Sequence, residues 1–317
     1  MEELLSRLRA GDARGLARAI TSVVEREAGA EALLRAAYPH TGRARVVGLT
    51  GPPGSGKSTL VDALARRYRA AGETVGIVAV DPTSPFTGGA ILGDRIRMQA
   101  HHNDAGIFIR SLATRGALGG LAQAASEVVA LLDASGKDRI LVETVGVGQD
   151  EVDIIQLADV TVVVLVPGMG DEVQAIKAGL MEIADVFVIN KSDRGPERLE
   201  QEIQAMLALA PAAGGEAWRP PIVKTVATSG EGVDSLQAAI AQRLAWLEGH
   251  GGLVGHRAQQ WRQRLRQLAR DRLAERLLAP LLTEERLAQA AEAIAGQGAD
   301  PYSAVDAMIE RAIVAQR

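Results

Sequence analysis

The stretch Gly51-Pro52-Pro53-Gly54-Ser55-Gly56-Lys57-Ser58-Thr59 constrains the fold more than any other part of the chain. It follows the largely apolar run 45–50 and precedes Leu60, Val61, Leu64, Ala65 and Tyr68, spaced as on a buried helix face. A strand, a glycine-rich turn and a helix in that order are the context a phosphate-binding loop needs. Without a Cβ, the loop glycines let the backbone take unusual dihedrals and come close to a phosphate. Successive N–H groups, backed by a helix N-terminus, then point at the anion. Lys57 adds a positive charge for the β- and γ-phosphates, and the Ser58 hydroxyl can ligate Mg²⁺. The reading is a nucleoside triphosphate site built from residues 51–59.

A second motif selects the base. Asn190-Lys191-Ser192-Asp193 directly follows the apolar run ending at Ile189. A carboxylate at its fourth position suits guanine, which offers N1–H and its 2-amino group as paired donors, whereas adenine does not. A site built on that pairing can reject the wrong base by roughly 10⁴, since its carboxylate would otherwise go unsatisfied. Val226, Ala227 and Thr228 follow the last apolar run and are placed for backbone contacts to the base.

Between 45 and 248, short Val- and Ile-rich runs at 75–80, 106–109, 140–142, 160–166, 186–189 and 222–223 alternate with longer helical patterns. Continuously apolar strands are those covered on both faces. The expected fold is therefore α/β, a doubly wound and mainly parallel sheet with ligand at the carboxyl ends of its strands. Residues 1–43 read as a helical extension, with Gly11-Asp12 breaking two amphipathic runs and Asp12 as an N-cap. Residues 249–317 read as a helical arm. Seven arginines from Arg257 to Arg276 interleave with Trp261, Leu265, Leu268, Leu273 and Leu277, and further helices start at Thr283 and at Asp300-Pro301.

The chemistry beside the phosphates turns on carboxylates. Glu143-Thr144-Val145-Gly146 ends the run at 140–142 and stands where a γ-phosphate sensor of the Asp-x-x-Gly type would stand. Glu143 can hold Mg²⁺, directly or through water, while the Gly146 N–H reaches the γ-phosphate. Val147, not a glutamine, immediately follows Gly146, and Gln149 comes only later, so no water-orienting glutamine is evident and slow intrinsic hydrolysis is implied. Asp81 closes the second strand. Asp94 lies in a glycine-rich loop, where an Asp serves either the metal or the turn. His101 and His102 are adjacent, so on a helix they diverge by about 100° and read as surface residues.

Composition removes other classes. The 317 residues are 47% hydrophobic and 23% charged, with net charge −4 and no cysteine. That balance gives nucleic-acid binding no support, and the absence of cysteine excludes disulfides, thiolate catalysis and thiolate-bound metal. No secretory signal or spanning run is evident, so the expected setting is the cytoplasm, without membrane.

Together the motifs resemble the MeaB/ArgK family of GTPases. The resemblance covers residues 81–98, 143–151, 170–185 and 190–193, and extends to the helical segments at both ends. It implies a GTPase of the SIMIBI class and G3E type, using GTP/GDP and Mg²⁺ and forming a homodimer through its C-terminal arm. It further implies a chaperone for an adenosylcobalamin-dependent acyl-CoA mutase, typically methylmalonyl-CoA mutase. Such a chaperone gates cofactor loading and protects the mutase, and the adenosylcobalamin belongs to that partner. Carried over, Ser58, Asp81, Asp94 and Glu143 become the Mg²⁺ set, and Lys57, Asp94, Glu143 and Lys177 the catalytic candidates. Lys177 belongs to a switch that answers to the mutase; without the resemblance it reads as a solvated helix lysine. Asp150 stands where the pattern has a small polar residue, leaving the partner preference open. Alternatives are a transport-protein kinase, which would prefer ATP, a nickel-metallochaperone-type GTPase, which would need Cys or His ligands, and a scaffold without turnover.

Overall fold

The computed structural model describes residues 2–81, 104–113, 120–144, 157–168, 183–209, 218–274, 276 and 282–314, with the side chains at 81, 113, 120, 121 and 311–314 outside that description. The chain divides into two compact units, Met1–Leu253 and Val254–Arg317.

The first unit is built on a seven-stranded sheet. In chain order its strands are β1 (Arg45–Thr50), β2 (Val75–Asp81), β3 (Ile107–Ala113), β4 (Arg139–Glu143), β5 (Val160–Leu165), β6 (Val186–Asn190) and β7 (Ile222–Thr225). The spatial order is β3-β2-β4-β1-β5-β6-β7, and every pair is parallel. Parallel neighbours need crossovers, which is why helices cover both faces. Helix α4 (Lys57–Ala70) and α7 (Val233–Gly249) bury Leu60, Leu64, Tyr68, Leu236 and Ile240 against one face. The opposite face carries α5 (Gly120–Ala134) and α6 (Glu197–Leu209). The amino-terminal helices α1 (Glu2–Arg9), α2 (Ala13–Val24) and α3 (Ala30–Ala37) join α5 there, burying Leu8, Leu16, Ile20 and Leu33 in the same core. The side chain of Asp12 accepts from the Arg14 N–H and starts α2.

The structure lengthens several strands, β3 the most. The apolar run at 106–109 marks only the start of β3, which continues to Ala113 in register with Asp81 of β2. Arg110 and Ser111 hide that continuation because β3 is an edge strand and its sequence need not be apolar throughout.

In the second unit, α8 (Gly252–Leu273, which begins in the first unit), α9 (Glu284–Ala295) and α10 (Pro301–Val314) follow in order. Thr283 caps α9 through the Arg286 N–H, and Asp300 caps α10 through Tyr302 and Ser303. Leu265, Leu273, Leu287, Val305 and Ile309 are exposed. Among the described residues no helix is long and apolar enough to cross a membrane.

Candidate functional site

The loop 51–56 leaves the carboxyl end of β1, the strand held between β4 and β5. Gly51 has φ 141°, and a Cβ there would stand 2.1 Å from the Val164 carbonyl oxygen, so only glycine lets the loop start this close to β5. Gly56 has φ 91° and begins α4 with no side chain to occupy the helix's first N–H groups. A Cβ on Gly56 would stand 2.3 Å from Asn190 Nδ2. The loop is therefore shaped by its neighbours as much as by its own turns.

Those neighbours belong to the Asn-Lys-x-Asp segment and to the turn after β7. Asn190, buried at the end of β6, donates from Nδ2 to the Ser55 carbonyl at 2.8 Å. Its Oδ1 accepts from the Thr225 hydroxyl and from the Ala227 N–H, each at 3.1 Å. Lys191 takes a left-handed conformation (φ 55°) and donates from Nζ to the Gly54 carbonyl at 2.8 Å. Two residues of Asn-Lys-x-Asp thus tie the far edge of the phosphate loop to β6 and to the turn after β7. Asp193 sits in the 3₁₀ turn Ser192–Arg194 just after β6 and is exposed.

On the phosphate side, the Lys57 ammonium is buried and donates to the carbonyls of Gly51 and Pro52 at 2.8 and 3.0 Å. The Ser58 hydroxyl donates to Glu143 Oε1 at 2.6 Å, joining the first turn of α4 to the end of β4. Glu143 is buried. These two oxygen donors, 85 residues apart in sequence, are of the hard type that Mg²⁺ takes. Among the described residues no three His, Cys, Asp or Glu side chains converge as a metal cluster. The Asp81 side chain, and the whole of Gly146, Asp94 and Lys177, lie outside the described residues.

Thr59, Ala227 and Thr228 line a cavity of about 430 Å³ between α4 and the turn after β7. Asp62, Arg66, Arg67 and Ser229 complete its polar lining, and no motif spacing relates the three α4 residues to the turn after β7. Sequence reasoning also missed Thr225, Thr50 and Thr144, all fully buried at strand ends of the site. The available signal was a threonine closing an otherwise apolar strand.

Comparison with known proteins bears on this geometry. Residues 16–281 match the family model described as "Methylmalonyl Co-A mutase-associated GTPase MeaB". The chain belongs to the MeaB family of GTPases. A Pyrococcus horikoshii protein named as a GTPase is 47% identical over 99% of this chain and 98% of its own. GTPase ArgK of Escherichia coli K12 is 37% identical over 88% of this chain and 86% of its own. Among solved structures, one described as the LAO/AO transport system kinase superposes with a TM-score of 0.72 at 29% identity, covering 98% of this chain and 96% of its own. This MeaB-family GTPase therefore presents its phosphate loop, Asn190 and Glu143 on one rim of a parallel sheet.

Proposed function

We propose that this GTPase binds GTP with Mg²⁺ at the rim of β1, β4 and β6 and serves as a chaperone of an adenosylcobalamin-dependent acyl-CoA mutase of the methylmalonyl-CoA type. In this reading it gates loading of the mutase's cofactor and protects the mutase from inactivation. The family match over residues 16–281 supports the mutase association. The observation that carries the nucleotide chemistry is the 2.6 Å approach of Ser58 to Glu143 beside an uncapped helix start.

On triphosphate binding, the Lys57 ammonium exchanges the Gly51 and Pro52 carbonyls for β- and γ-phosphate oxygens, and the amides of 54–59 surround the anion. Ser58 and Glu143 would hold Mg²⁺, with Asp81 and Asp94 as further candidates. The ion supplies charge neutralisation on the transferring phosphoryl group. Asp193 accepts from guanine N1–H and the 2-amino group, and Gly146, Val226, Ala227 and Thr228 supply backbone contacts. Exposure of Leu265, Leu273 and Leu287 supports a homodimer formed through the C-terminal arm.

No glutamine stands immediately after Gly146, so turnover is slow until a partner places the water or adds a transition-state contact; even ~1.4 kcal/mol gives tenfold. The test is phosphate release with and without a saturating cobalamin-dependent acyl-CoA mutase. Acceleration is expected with the cognate mutase, and Lys177→Ala should abolish it while sparing basal turnover only if Lys177 acts in the partner switch. Equal rates across a panel of such mutases, with no complex detected, would overturn the chaperone reading and leave a GTPase.

A further inference from the structure

The interior of β1 and β4 is apolar at Val46, Val47, Leu49, Ile140, Leu141 and Val142. Hydroxyls enter only at the last step. Thr50 and Thr144 are both fully buried, and the Thr144 hydroxyl donates to the Thr50 hydroxyl at 3.1 Å. Valine has nearly the same shape and equal liking for a strand, so packing alone does not call for two buried hydroxyls, which are costly unless paired. Their position is particular. Thr50 immediately precedes Gly51, whose carbonyl holds Lys57, and Thr144 immediately follows Glu143. The Thr144 N–H donates to the Leu49 carbonyl at 3.2 Å, continuing the β1–β4 ladder one step past Glu143.

Side chains alternate across a strand, so neighbours in sequence lie on opposite faces. Leu49 and Leu141 belong to the face covered by α4, whereas Val46, Ile140 and Val142 belong to the face covered by α5. Glu143 therefore meets Ser58 on the α4 face, and the threonine pair closes the same two strand ends from the other face. We propose that Thr50 and Thr144 are positioning residues whose buried hydroxyl pair sets the spacing between the phosphate loop and Glu143, and through it the oxygen pair that takes Mg²⁺. The proposal rests on the Mg²⁺ reading of Ser58 and Glu143.

The test measures binding of a non-hydrolysable GTP analogue by calorimetry across a Mg²⁺ titration, alongside thermal melting. Thr50→Val alone takes the acceptor from the buried Thr144 hydroxyl and should lower the melting temperature; the double variant removes both hydroxyls and should recover it. The double variant should nevertheless need about tenfold more Mg²⁺ to reach half its gain in analogue affinity, the scale on which outer-shell changes act. Thr144→Ser keeps the hydroxyl and should match the parent. Should the double variant not fold, Thr144→Val compared with Thr144→Ser carries the same titration. A parental Mg²⁺ requirement in the Val variants, while Ser58→Ala and Glu143→Gln shift it, overturns the positioning role. If those two controls shift nothing, the Mg²⁺ reading itself fails, and the proposal falls with it.

Discussion

Asn190 shows how one side chain serves two parts of a site. Its amide donates to the loop at Ser55 and accepts from Thr225 and Ala227, so it is spent on scaffolding with every contact internal to the protein. Asp193, three residues on, is exposed and stands on the rim. In the proposed reading base selection falls on Asp193, whose carboxylate can only accept. Asp193→Asn should weaken GTP binding and shift preference toward xanthosine nucleotides, whose 2-oxo group accepts where guanine donates. Competition binding of the two triphosphates checks this, and unchanged GTP affinity would remove Asp193 from the site. The proposal of the motif's last residue as a base reader comes from the sequence alone, because its chemistry is local. The role of Asn190 as a bridge to residue 55 was not, since it depends on a contact 135 residues away in sequence.

At the scale of elements, the two edges of the sheet are finished differently. The carboxyl edge carries the site. At the amino edge, an aspartate stands immediately before a strand three times: Asp138 before β4, Asp159 before β5 and Asp185 before β6. Each accepts from a backbone N–H at or just before the start of the neighbouring strand: Asp138 from Thr74 at 2.7 Å, Asp159 from Val46 at 2.8 Å and Asp185 from Thr161 at 2.8 Å. The Val46 N–H, the buried one of the three, would otherwise be left unsatisfied. The Thr74 N–H bond, aided by the Thr74 hydroxyl, holds the Asp138 carboxyl below the ordinary carboxylate range, against a smaller opposing effect of burial. The sign follows directly. A depressed folded pKa contributes stability that is present above the unfolded value of about 4 and is lost as pH falls through the lower folded value. Asp138→Asn should therefore unfold at lower urea than the parent at pH 7, with the gap narrowing toward pH 3. A gap independent of pH would show that the bond, not the charge, is what matters.

For the whole molecule, the first unit contains the complete sheet and every described residue of the nucleotide site, and it ends at Leu253. Truncation after Leu253 should therefore give a folded, GTP-binding monomer, and the full chain is expected to form a homodimer through the arm. Light scattering measures both masses; a full-length monomer or a truncated dimer would refute the assignment of the arm. The exposed Leu265, Leu273, Leu287 and Ile309 are the residues at stake. Replacing them with polar residues should dissociate the dimer while leaving nucleotide affinity intact.

The sequence by itself determined the strand–loop–helix at 45–70, the parallel sheet and the starts of α2, α9 and α10. These depend on local rules: apolar runs that only doubly covered strands tolerate, glycine where the backbone turns, and Asp or Thr where helix N–H groups need an acceptor. Only the tertiary structure decided that β4 lies between β2 and β1, so that Glu143 meets Ser58. It also decided that Thr50 faces Thr144, and that Gly56 must be glycine because Asn190 lies against it. Strand order and side-chain pairing join residues 85 to 135 positions apart, and no periodicity along the chain encodes which distant group fills a given space.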